Sequence, residues 1–166
     1  MTEHAERPSR GVDAVRHARH LRLQEIGADG QAKLGSASVA VVGAGGLGCP
    51  VLLYLAAAGV GRLTVIDDDV VSLSNLQRQV IYRTEDVGRS KAKVAAERVL
   101  ALDPDLDVQV HVERLSPDNA LAVLANHDLV IDGTDMIPAR YLIDDACAIL
   151  GTPWIHASVH RFEGRL

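Results

Sequence analysis

The apolar positions of this chain follow two alternating periods. Val39-Ala40-Val41-Val42 is a short, mostly β-branched run stopped by glycine, the mark of a buried strand. Leu47, Val51, Leu55 and Ala58 then recur at helical spacing, and Gly59 is placed to close that helix. Residues 63–66 read as the next strand. After a polar loop, Ser90 can cap a helix with Ala95, Val99 and Leu102 on one face, ended by Asp103-Pro104. The pattern then predicts a strand over 108–112, a helix over 116–126, a strand over 129–131, a helix over 138–150 and a strand over 154–159. Ahead of the first strand it predicts a flexible arm over 1–15, a weakly patterned helix near 15–25 and a Gly-containing link. There is no internal repeat or low-complexity segment.

Strand and helix alternate with short links, so the sheet should be mostly parallel and covered on both faces. Right-handed crossovers then give an α/β, doubly wound, Rossmann-like fold over residues 16–166, whose ligands sit outside the carboxyl ends of the strands.

Composition narrows the class. At 166 residues, 48% apolar and 23% charged, the chain suits one soluble domain able to bury roughly two-thirds of its unfolded surface. A net charge of −5 argues against a nucleic-acid partner. The polar N-terminus lacks a signal-like apolar stretch, and no apolar run is long enough for a membrane span. Cys49 and Cys147 are too few for a disulfide framework and read as small buried hydrophobes in a reducing compartment, so a cytoplasmic location is expected.

The candidate chemistry lies at the strand ends. Gly43-Ala44-Gly45-Gly46-Leu47-Gly48 joins the first strand to its helix: Gly43 for the turn, Gly45 for close approach of a phosphate, Gly48 for helix–strand packing, with Gly46 beside them. Asp67 ends the second strand, where a carboxylate can hold ribose hydroxyls, a feature shared by sites for NAD, FAD and ATP. Asp68 and Asp69 extend the acidic cluster, Asp68 as part of a solvated loop. The loop through Ser72, Ser74, Asn75, Leu76, Gln77, Arg78 and Gln79, with Lys91 at the next helix start, supplies cations for several phosphate charges, which a dehydrogenase does not need there. Taken singly, Arg78 and Lys91 would pass as ordinary surface charges. Asp135, in Asp132-Gly133-Thr134-Asp135-Met136, can hold Mg²⁺ through a carboxylate plus phosphate oxygens or can cap the following helix. His156 and His160, on one face of the last predicted strand, lack further metal ligands nearby and read as structural.

With these residues assembled, the chain resembles the ThiF/MoeB/HesA adenylyltransferases, relatives of the ubiquitin-activating enzymes. The resemblance rests on the glycine loop, Ala58-Gly59-Val60-Gly61, Asp67, the Ser74-Asn75-Leu76-Gln77-Arg78-Gln79 string, Lys91 and Thr134-Asp135. It includes the opening Arg16-His17-Ala18-Arg19-His20 with Glu25-Ile26-Gly27 and Gly30-Gln31. The aspartate-rich loop and Thr84-Glu85-Asp86-Val87 are more similar to the ThiF branch than to MoeB.

The resemblance implies ATP as cofactor, its phosphates on Gly46 and its neighbours, ribose on Asp67, and the phosphate region on Asn75, Arg78 and Lys91. It implies Mg²⁺ on Asp135, with Met136 beside the nucleotide where the family has Asn, and Gly133 where it has Cys. It implies a homodimer in which Arg19 completes the partner's site, and a ubiquitin-like sulfur-carrier protein, of thiamin or molybdopterin type, as substrate. The expected reaction is adenylylation of the carrier's C-terminal glycine with release of pyrophosphate, carried by Arg19, Arg78, Lys91 and Asp135. Family members run longer, so their reactive cysteine and any Zn²⁺ site would fall beyond residue 166. The alternatives are an NAD-dependent oxidoreductase and a truncated carrier-binding relative without catalysis.

Overall fold

The computed structural model describes residues 11–166, so most of the arm expected over 1–15 lies outside the described residues. Five strands form one parallel sheet: β1 (Ser38–Val42), β2 (Arg62–Ile66), β3 (Asp107–His111), β4 (Leu129–Asp132) and β5 (Trp154–His156), in the order β3-β2-β1-β4-β5. β1 is buried along its whole length, and its side chains alternate between two cores. Val39 and Val41 join Leu63 and Val65 under α2 (Gly48–Ala58) and α3 (Lys91–Leu102), whereas Ala40 and Val42 join Ile66 and Val130 under α4 (Ala120–Leu124) and α5 (Ile137–Leu150). Burial on both faces is why the strands read as continuous apolar runs, each fully buried Val, Leu or Ile contributing about 1.5–3 kcal/mol.

The helix boundaries follow local chemistry. Ser90 Oγ accepts the Lys93 N–H at the start of α3, and Gly59 (φ 82°) and Gly151 (φ 68°) end α2 and α5 in the left-handed conformation. On α3, Ala95 and Val99 are buried as expected, but Leu102 at the last turn is 39% exposed.

Three expectations need correction. No α-helix forms over 15–25, which holds turns and a single 3-10 turn at His20–Arg22; the helix α1 (Gly27–Ser36) occupies the supposed link. Its glycines weaken it locally, but a Cβ on Gly61 would overlap the Gly35 carbonyl, so Gly61 lets the two segments pass closely, and the Gly61 N–H donates to the Leu34 carbonyl at 3.0 Å; tertiary contact overrides propensity. The helix expected over 116–126 is shorter, because Asn119 Oδ1 accepts the Ser116 N–H and makes the first turn a side-chain-closed loop. The last strand breaks at Ala157, where β5 gives way to an antiparallel hairpin of β6 (Ser158–His160) and β7 (Glu163–Arg165). His156 and His160 therefore do not share a strand.

Candidate functional site

β1 lies between β2 and β4, and the connection from β1 runs to one side while that from β3 returns to the other. The chain reverses between β1 and β4, and the crevice at their carboxyl ends is where such folds bind ligands. The glycine loop, Asp67 and residues 133–136 all meet there.

The glycine loop is held by its backbone. Gly43 has φ 88°, and a Cβ there would press on the Gly133 carbonyl at 3.1 Å. A Cβ on Gly48 would overlap the Gly43 carbonyl outright, so only glycine lets α2 start here. The Ala44 N–H donates to Asp67 Oδ2 at 2.8 Å, and the Asp69 N–H to Asp67 Oδ1 at 2.8 Å. Burial pushes the Asp67 carboxyl above the ordinary aspartate range, while those two N–H groups and the charge of Lys91 pull the other way.

Tyr82 and Cys49, neither expected at the site from the sequence, complete the loop. The Tyr82 hydroxyl donates to the Ala44 carbonyl at 2.7 Å, and the Cys49 thiol lies 3.3 Å from that same oxygen. Gln79, 3% exposed, brings its Nε2 within 3.6 Å of the place a Gly45 Cβ would take. No local pattern marks Tyr82, whose role appears only once the loop folds back on the first turn. Cys49 and Cys147 are buried, and burial pushes both thiols up to about 11, so neither is a reactive thiolate.

The cations differ from each other. Arg78 is exposed, its stem passes over Gly46 (a Cβ there would lie 3.4 Å from Arg78 Cδ), and it makes no ion pair among the described residues. Lys91 is 5% exposed, and its Nζ sits 2.9 Å from Asp69 Oδ2, a partially buried pair rather than a second free charge. In the loop before Arg78, the Asn75 carbonyl accepts the N–H groups of Arg78 and Gln79, Ser74 Oγ lies 3.0 Å from Ser72 Oγ, and Gln77 reaches the Ser74 carbonyl. Leu76 is partly buried against the core. Asp68 pairs with Arg114 at 3.0 Å.

On the β4 side, Asp135 and Met136 are exposed. Asp135 does not cap α5, whose N-cap is Met136 with no side-chain cap, and its carboxylate has no hydrogen-bond or ion-pair partner among the described residues. The buried acid here is Asp132, which the sequence reading passed over. Gly133 stands where the two loops touch, a Cβ there meeting the Gly48 nitrogen at 3.1 Å, so this glycine keeps the crevice narrow. Among the described residues no group of three metal-ligating side chains forms.

Arg19 stands apart. The His17 ring abuts Gly59, and Gln31 links His20 Nδ1 to the Ala58 carbonyl, so this segment packs on the C-terminal end of α2. The glycine loop is at the other end, about 16 Å away along an 11-residue helix. Arg19 is exposed and joins no ion pair among the described residues. A concavity of about 440 Å³ beside α1, lined by Gln24, Glu25, Asp29 and Lys33, shares no residue with the crevice. Among the described residues no helix is long and apolar enough to cross a membrane.

Comparison with known proteins places these features in a group. The model of the ThiF family matches residues 17–166. The probable adenylyltransferase/sulfurtransferase MoeZ of Mycobacterium tuberculosis is 50% identical over 153 residues, 92% of this chain and 39% of its own length. The sulfur carrier protein adenylyltransferase of Thermus thermophilus is 50% identical over 151 residues, 91% of this chain and 56% of its own length. Among solved structures, Escherichia coli tRNA N6-threonylcarbamoyladenosine dehydratase in complex with ATP superposes with a TM-score of 0.81 at 30% identity, covering 86% of this chain and 58% of that one. The chain thus spans about half the length of these relatives.

Proposed function

The chain belongs to the ThiF family, and from that premise we propose that it transfers AMP from ATP to the C-terminal glycine of a ubiquitin-like sulfur-carrier protein. The observation that carries this reading is Arg78, a cation without an acid partner among the described residues, lying across Gly46 at a helix N-terminus. A loop of backbone N–H groups with an unpaired guanidinium over it suits phosphate charge. The named activity of the Thermus thermophilus relative, a sulfur carrier protein adenylyltransferase, supports the same substrate class.

The carrier's glycine carboxylate is already ionised at neutral pH and needs no general base. One of its oxygens forms a bond to the α-phosphorus as the bond from that phosphorus to the bridging oxygen breaks, and pyrophosphate leaves with the electron pair. The products are the acyl-adenylate and pyrophosphate. Catalysis is then positioning and charge neutralisation. Asp67 holds the ribose, Gly43, Gly45, Gly46 and Gly48 receive the phosphates, and Arg78 neutralises charge on them. Lys91 joins Arg78 when it shares its ammonium between Asp69 and the nucleotide.

Asp135 fits Mg²⁺: it is an exposed carboxylate with no hydrogen bond to cap α5, and one carboxylate with phosphate oxygens is the ligand set this ion favours. Bound there, the ion would screen triphosphate charge. Arg19 lies at the far end of α2 from its own loop, which supports a two-fold dimer in which it serves the partner's site. This activity implies a cytoplasmic protein.

Calorimetric titration tests the reading. MgATP should bind and NAD should not, and carrier-dependent ATP–pyrophosphate exchange should be measurable. Tighter binding of NAD than of MgATP would remove the adenylylation reading.

A further inference from the structure

Asp132 ends β4 and is completely buried, a position where an ionised carboxylate is costly unless its oxygens are fully bonded. Its Oδ1 accepts both the Thr134 N–H at 2.9 Å and the Thr134 hydroxyl at 2.7 Å. Its Oδ2 lies 2.8 Å from His156 Nδ1, and because a carboxylate only accepts, Nδ1 carries the proton. The parallel register sets Asp132 directly beside His156, and the Ala157 N–H returns to the Asp132 carbonyl at 3.3 Å. The His156 side chain is 17% exposed, and its Nε2 is buried with no partner among the described residues. The whole arrangement therefore works through Nδ1.

What it holds is the turn that presents Asp135. Residues 133–136 have no side-chain cap on α5, and β5 is a three-residue edge strand, so little else fixes this turn on that side. We propose that His156 is a positioning residue for Asp135: its Nδ1–H orients Asp132, Asp132 fixes the backbone and hydroxyl of Thr134, and that turn sets the place of the Asp135 carboxylate. The inference rests on the reading of Asp135 as the Mg²⁺ ligand beside the triphosphate. Partners one step removed from a metal ligand commonly change metal affinity by about 10–100-fold.

The two nitrogens can be separated by substitution. The amide nitrogen of Asn stands near His Nδ1, whereas that of Gln stands near Nε2. The full chain, with a non-hydrolysable ATP analogue, is titrated with Mn²⁺, and free ion is read from its EPR signal, so no turnover is needed. His156→Gln should weaken Mn²⁺ binding by about 10-fold, and His156→Asn should stay within about 2-fold of the parent while the metal-free affinity for the analogue is unchanged in both. Thr134→Val, which removes one of the three bonds to Asp132, should shift binding in the same direction by less. Unchanged Mn²⁺ affinity in His156→Gln, even with a lowered melting temperature, would reduce the dyad to a structural role and overturn the proposal. So would loss in His156→Asn with retention in His156→Gln. If the parent chain itself takes up no Mn²⁺ with the analogue, the adenylylation reading falls and this inference with it.

Discussion

Two loops meet at the crevice, and they keep their shapes by opposite means. The β1–α2 loop is shaped by missing side chains: Gly43 turns where φ is positive, and Gly48 passes so close to the Gly43 carbonyl that a methyl group does not fit. The β4–α5 loop is shaped by side chains, with Asp132 collecting Thr134 and, 24 residues further on, His156. A loop of the first kind takes its turns from its own glycines and tolerates almost no side chain there, even though Asp67 and Tyr82 bond its backbone from outside. A loop of the second kind can be moved from a distance, because its geometry belongs to a strand pair.

The largest test of that contrast is Gly48→Ala. Backbone cannot yield as a side chain can, so the variant should lose about 3 kcal/mol of stability, the upper part of the range for overpacking, together with nucleotide binding. A urea midpoint equal to the parent's would show that the loop has slack and that the contrast is overdrawn.

Next is Arg78→Ala. Its side chain touches the glycine loop but is exposed and unpaired among the described residues, so exchange activity should fall about 100-fold while melting hardly changes. Lys91→Ala should cost comparable activity and also stability, since Lys91 is buried and bonded to Asp69. Full exchange activity in both variants would leave these residues as surface charges.

Arg19 asks whether the site is closed by one chain. Mixing Arg19→Ala and Asp135→Ala chains, each inactive alone, should restore about a quarter of the sites if Arg19 acts across a two-fold axis. A mixture that stays silent, with exchange of subunits verified by native mass, would place no part of the site in a partner.

The β2–α3 loop carrying Arg78 should side with the contact-shaped kind, and pH can show it. Asp86 is buried; burial alone would raise its carboxyl, but the Arg83 N–H and the Arg98 and Arg89 guanidiniums outweigh that and hold it below the ordinary value of 3.8. A lowered folded value stabilises the protein above the unfolded value, and that contribution is lost as pH falls below about 4. Urea midpoints between pH 6 and 3 should fall less steeply for Asp86→Asn than for the parent; parallel slopes would deny Asp86 this role. The smallest effect concerns Cys49 and Cys147. With both thiols raised to about 11, iodoacetamide at pH 8 should label them only after denaturation, and rapid labelling of the native protein would contradict their burial.

The parts that were legible share a property. β1, β2 and α2 are buried runs whose period and end-glycines are local, so the glycine loop and Asp67 could be placed from residues alone. α1 was illegible because Gly27, Gly30 and Gly35 argue against a helix until the 59–61 segment packs on it. Tyr82, Asp132 and His156 were illegible because nothing nearby in the chain distinguishes a tyrosine that folds back onto Ala44, or an aspartate that meets a histidine on the next strand.

The sequence by itself determined the alternation of strand and helix, the parallel sheet and the position of the glycine loop at the carboxyl end of β1. These follow from apolar periodicity and from backbone conformations that only glycine reaches. Only the tertiary structure decided that Lys91 is tied to Asp69 while Arg78 has no acid partner among the described residues, that Arg19 stands at the far end of α2, and that Asp132, not Asp135, is the buried acid. Those outcomes depend on which strand lies beside which and on how far a side chain reaches across that spacing, and neither is written in the spacing of residues along the chain.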